Sequence, residues 1–201
     1  MKSGIRLLAS TLAAAGGILF ATQAGAGILG TKHDFSAAGY GSTQLCIFCH
    51  APHNAQTIPD APLWNHQSTT ATYTLYSGPG TMNATVGQPG AVSKLCMSCH
   101  DGTVAIGNFG TITSDNHFVT GKSLIGTNLS NDHPIGFTYD AALVSADPGL
   151  VSPTTVVTAG LPLFSSKLEC STCHGVHDNT NAPFLRKTNA SSALCLTCHI
   201  K

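Results

Sequence analysis

Charge is scarce in this chain: only 9% of its 201 residues are Asp, Glu, Lys or Arg, nine basic against nine acidic. That leaves no polybasic surface to grip a phosphate backbone, so nucleic acid is not an expected partner. Aromatics are few, at 6%, and beyond the first twenty residues no apolar run approaches the length of a membrane span. Low charge combined with 42% hydrophobic residues is nevertheless not the composition of a disordered chain. The length allows one domain or two small ones. What the chain has in abundance is Gly 21 and Pro 10, which predict loops, together with Cys 8 and His 10. Something other than an aliphatic core is expected to organise it.

Lys2 and Arg6 form a short positive region, Leu7 to Phe20 an apolar one, and Ala24-Gly25-Ala26 a small-residue cleavage pattern. Residues 1–26 therefore read as a secretory signal peptide, with Ala24 as an alternative cut. A membrane anchor is disfavoured, because the apolar run falls short of the ~20 residues a span needs and Ser10 and Thr11 interrupt it. The mature chain, residues 27–201, keeps seven Lys+Arg and nine Asp+Glu. It is expected to be exported, to the periplasm, the outer surface or the medium.

Every cysteine belongs to a C-x-x-C pair followed directly by histidine: Cys46/Cys49-His50, Cys96/Cys99-His100, Cys170/Cys173-His174 and Cys195/Cys198-His199. This is the attachment signature of c-type haem. The two thiols add to the porphyrin vinyl groups, and the adjacent imidazole reaches the iron from one face. Disulfides or structural zinc would explain eight cysteines in an exported chain, but neither needs a histidine after each second cysteine. A thioredoxin-like pair would sit in a βαβ pattern, which is not visible. The expected cofactor is four covalently attached haems c.

Four haems have eight axial positions, and the motif histidines fill four. The mature chain carries only Met82 and Met97 as alternative thioether ligands, and Met97 lies inside a C-x-x-C. At least three haems are therefore expected to be bis-His, low in potential and closed to substrate. Six histidines remain for the distal positions. His53 and His177 each follow a motif histidine by three residues, too close to swing round the same macrocycle. That spacing suits ligation of a neighbouring haem and packs haems in pairs. His133 stands in Asp132-His133-Pro134, where Pro134 stiffens the backbone and Asp132 can orient the ring. His33 lies on a Gly-rich segment near the mature terminus, expected to be poorly held by internal packing and able to reach its own subunit's haem or the next one's. His66 is its rival, and His117 reads as part of a polar turn.

The last two motifs form a compact pair, 168–201, while long Gly/Pro/Thr loops separate the first two. Short helices are expected to carry the motifs. Ser166-Lys167-Leu168-Glu169 reads as a capping box, and Ser93 and Ser192 as N-caps. Leu45, Leu95 and Leu194 are placed to pack on porphyrin. Thr103–Ile106 and Thr154–Val157 read as short strands. The fold expected is a multihaem cytochrome c of irregular loops, few short helices and minor strand, organised around four stacked haems.

The run Cys46-Ile-Phe-Cys-His-Ala-Pro-His53-Asn-Ala, with Pro62-Leu-Trp-Asn65 downstream, resembles the outer-surface multihaem c-type cytochromes of metal-reducing bacteria. So do Gly87-Gln-Pro-Gly90, Leu95-Cys-Met-Ser-Cys-His-Asp-Gly-Thr-Val104 and Asp132-His-Pro-Ile-Gly-Phe137. Leu168 to His199 is similar to the doubled C-x-x-C-H module of those proteins. The resemblance implies close-packed bis-His haems with His33, His53, His133 and His177 as distal ligands, secretion to the cell surface and electron export. Some members, tetrahaem ones included, polymerise into filaments with a continuous haem chain, sometimes with an axial histidine donated by the next subunit. Homopolymer assembly is thus an implied property, beside redox proteins or extracellular acceptors as partners. The competing expectations are a soluble periplasmic carrier and a multihaem reductase, the latter requiring a five-coordinate iron.

Overall fold

The computed structural model describes residues 27–78, 80 and 82–200; the signal peptide expected over residues 1–26 lies outside them. Most of the chain is loop and turn, as Gly and Pro content predicts. Strands β1 (Gln56–Ile58) and β2 (Ala61–Trp64) form a hairpin pairing Gln56 with Trp64 and Ile58 with Ala61, turned at Pro59-Asp60 with Asp60 in the left-handed region. Helix α1 (Ala91–His100) follows Gly90 and carries the whole second motif; it buries Val92, Ser93, Met97 and Ser98. Met97 packs with Tyr73 and Leu129, so its thioether fills core. No helix among the described residues is long and apolar enough to cross a membrane.

Strand β3 (Phe137–Thr138) pairs with β4 (Lys167–Leu168). Between them in sequence lie α2 (Ala141–Ala146), capped by Asp140 on the Leu143 amide, and α3 (Pro153–Thr158), capped by Ser152 on the Thr155 amide. Phe137, Tyr139, Leu143, Val156, Leu161, Leu168 and Cys198 bury one another here, a conventional core beside the fourth motif. Gly136 has φ +76, and a Cβ there would stand 2.8 Å from the Gly87 carbonyl. Only glycine lets β3 approach the 87–90 loop so closely.

Several local expectations are corrected. Thr154–Val157 is helix, not strand: Ser152 and Pro153 at its start supply a cap and a preset φ, and these outweigh the β preference of Thr and Val. Residues 103–106 form bends and a turn. Ser93 lies inside α1, whose N-cap is Gly90. Ser192 sits in a 3-10 turn, Ala190–Ser192, with positive φ. The capping box of α4 (Cys170–Cys173) is made by Glu169 and Thr172, not Ser166 and Glu169; Ser166, at φ 61, belongs to the turn that leads into β4.

Candidate haem-binding site

The four motifs sit on different scaffolds. The first is a turn in which Cys49 and His50 amides bond to the Cys46 carbonyl at 3.1 and 2.8 Å. The second and third lie on α1 and α4, and the fourth starts on a 3-10 turn, Cys195–Thr197. None of the eight thiols is bonded to another. They approach across motifs instead. Cys96 lies near Cys170, Cys99 near Cys49 and Cys173 near Cys195, each pair close enough to perturb the other's ionisation. Burial pushes the Cys99 thiol up to about 12, so it stays protonated at neutral pH.

Three motif imidazoles direct Nδ1 at a carbonyl. His50 donates to Pro62 at 3.1 Å, His100 to Ser123 at 2.7 Å and His174 to Pro183 at 3.0 Å. His133 does the same with Pro134 at 2.9 Å. A carbonyl can only accept, so each contact fixes the tautomer with Nε2 unprotonated. That is the usual preparation of a histidine for a metal.

The rings then meet in pairs. The centroids of His50 and His177 lie 5.9 Å apart, those of His33 and His100 6.1 Å, and those of His133 and His199 6.4 Å. In each pair one ring is a motif histidine and the other is not. Imidazole bonds to a metal of about 2 Å on each side would separate two ring centres by roughly 6 Å. The paired donor set thus fits a group that contributes its own equatorial ligands. Among the described residues no three His, Cys, Asp or Glu converge on a metal position.

His33 is held more firmly than its place in the sequence suggested. The Gly27 amide bonds to the His177 carbonyl at 3.0 Å, the Thr31 hydroxyl caps Ile28 O at 2.6 Å, and the His33 ring stacks on Phe184 at 4.7 Å. Burial first, then the nearby His100 and His174, push His33 down to about 4. Two buried polar atoms among the described residues lack a hydrogen-bond partner, His33 Nδ1 and Trp64 Nε1. Each belongs to a ring beside a motif histidine, His100 for the first and His50, at 6.3 Å, for the second. Such atoms need a partner, and their position fits a bound haem.

The remaining histidines separate clearly. His66 is buried, with Nδ1 2.8 Å from Gln67 O and Nε2 3.1 Å from Ala105 O and 3.5 Å from the Cys99 thiol; burial lowers its pKa, so the neutral ring donates to one carbonyl at a time. His117 donates to Asp115 at 2.6 Å on the surface and stacks on Tyr40. His53 is exposed on a bend and is not brought to another histidine ring among the described residues. His174 likewise has no such ring contact.

The sequence reading passed over Asp101 and gave Glu169 only a local capping role. Asp101, after His100, accepts from the hydroxyls of Tyr73 (2.6 Å), Thr69 (2.7 Å) and Thr103 (2.7 Å) and pins segment 69–73 to the end of α1. Glu169 joins α1 to α4, as described below. Their signal was an acidic residue directly flanking a motif.

Residues 163–201 match the family described as the doubled CXXCH motif. The match indicates a multihaem c-type cytochrome with covalently attached haem c, a haem-binding electron-transfer protein. No curated protein matches the chain.

Proposed function

We propose that the chain is an exported tetrahaem electron carrier that delivers electrons to extracellular acceptors and has no catalytic activity of its own. The observation that carries the reading is the pairing of three motif histidines with three others at 5.9 to 6.4 Å. Cys46/Cys49, Cys96/Cys99, Cys170/Cys173 and Cys195/Cys198 would anchor the haems, with His50, His100, His174 and His199 proximal. His177 is the distal ligand at the first site, His33 at the second and His133 at the fourth. His53 serves the third, as the counterpart of His177. Held between two imidazoles, haem iron exchanges one electron and offers no open position to a substrate. The protein's part is to fix imidazole tautomers by carbonyl bonds, exclude water and set the spacing of the sites.

Export is supported by the leader, and delivery to extracellular acceptors by the likeness in motif order and spacing to surface cytochromes. Polymerisation into a filament is the assembly that likeness implies; a soluble periplasmic carrier is the alternative, and negative-stain imaging of the secreted protein separates them. The chemical reading is tested by haem analysis and the ferric spectrum at room temperature. Four haems per chain, all low-spin, are expected; three haems or a high-spin band would contradict it.

A further inference from the structure

The second and third motifs are tied together by one buried carboxylate. Glu169 is 2% exposed. Its side chain accepts the Thr172 amide of its own helix, the Gly90 amide at 3.2 Å and the Ser93 hydroxyl. Ser93 Oγ in turn accepts the Cys170 amide at 2.9 Å. Ser93 precedes Cys96 by three residues, Glu169 precedes Cys170 directly, and the thiols of Cys96 and Cys170 lie close together. A Cβ at Gly90 would collide with Glu169 Oε1. No Lys or Arg among the described residues pairs with the carboxylate; the one side-chain ion pair there joins His117 and Asp115.

Burying a carboxylate without a cation is costly, and apolar packing would join two helices at less expense. The charge itself therefore calls for a use. We propose that Glu169 is a positioning and potential-setting residue for the second and third haems. It locks α1 against α4, and its uncompensated negative charge holds those two potentials below the values they would otherwise have. The inference rests on the tetrahaem reading. Oxidised haem iron carries one more positive charge than reduced iron. A carboxylate fixed in a low-dielectric interior beside it therefore favours the oxidised form. The first and fourth haems, anchored outside this contact, should sense the charge much less.

The test is a spectroelectrochemical titration of the haem-loaded protein. Glu169→Gln keeps an acceptor oxygen for Gly90 and Ser93 but removes the charge. Two of the four midpoint potentials should rise, the other two should stay, and four low-spin haems should remain. Ser93→Ala removes the hydroxyl that shields the carboxylate and holds the Cys170 amide. The same two potentials should fall, and magnetic coupling between these haems in the EPR spectrum should weaken. A fully loaded Glu169→Gln protein in which all four potentials move together, or none moves, overturns the proposal. Should that variant fail to load, the absence of a selective fall in Ser93→Ala overturns it instead. Fewer than four low-spin haems in the unmodified protein would refute the underlying reading, a result distinct from either.

Discussion

The inner two motifs and the outer two are built differently. Cys96, Cys99, Cys170 and Cys173 are all half-buried, on helices joined through Glu169 and Ser93, and α1 is closed at its far end by Asp101. Cys46, Cys49 and Cys195 are exposed, Cys198 alone among the outer thiols is buried, in the Phe137–Leu168 core, and the outer motifs are held by backbone bonds to distant loops. Ala51 N reaches Leu63 O at 3.0 Å and Asn65 N reaches Cys49 O at 2.9 Å. Val151 N reaches Cys198 O and Ile200 N reaches Gly149 O, both at 2.8 Å. The central motifs are carried on α-helices, where two sites must be rigid relative to each other. At the ends, loop pairing suffices. The centre should therefore be sensitive to buried polar substitutions and the ends tolerant of them.

The largest expected effect is that of Glu169→Ala. It leaves the Gly90 amide and the Ser93 hydroxyl without their acceptor, while the Thr172 amide keeps the residue 169 carbonyl; at about 1–3 kcal/mol for each buried orphan, denaturant unfolding should show a loss of roughly 2 kcal/mol or more. Asp140→Ala, which removes the cap of α2 near the fourth site, should cost only about 1 kcal/mol. Equal losses would erase the distinction between centre and ends. Gly90→Ala should come next, destabilising by about 1–3 kcal/mol as the added methyl displaces Glu169.

Two histidine variants sharpen the same contrast. His66→Ala removes a buried, hydrogen-bonded ring and should cost about 1–3 kcal/mol while four low-spin haems persist. His33→Ala should turn one haem high-spin and open it to added imidazole; the ferric spectrum distinguishes the two. The smallest effect belongs to His117→Ala, an exposed pair with Asp115 whose removal should change stability by less than about 1 kcal/mol and leave the spectrum untouched.

How far the sequence could be read follows from the range of each interaction. The motifs are local, and loop-rich architecture follows from Gly and Pro; the carbonyls that fix the imidazole tautomers lie up to 23 residues away, and His133 turns to Pro134 O rather than to Asp132. Long-range partnerships were not legible: Ser93 meets Glu169 across 76 residues. Glu169 was read with Ser166, three residues back, because a capping box is a local pattern; its actual partners include the far helix. Thr154–Val157 was misread because β-branched residues were weighed without the Ser152-Pro153 start signal. His33 was expected to be loosely held because the docking of Gly27 on His177 O and of its ring on Phe184 has no sequence signature. The spacing of His177 excluded its own haem but could not name the haem it faces; the structure puts its ring beside His50.

That cross-motif pairing is the centre of the account, and His177→Ala tests it most directly. Paramagnetic NMR of the ferric variant, with the haem methyl resonances assigned to their attachment sites, reports which iron loses its imidazole. The account predicts a high-spin haem at Cys46/Cys49, beside His50, with the haem at Cys170/Cys173 still low-spin. A high-spin haem at Cys170/Cys173, whose His174 lies three residues from the substitution, would contradict it.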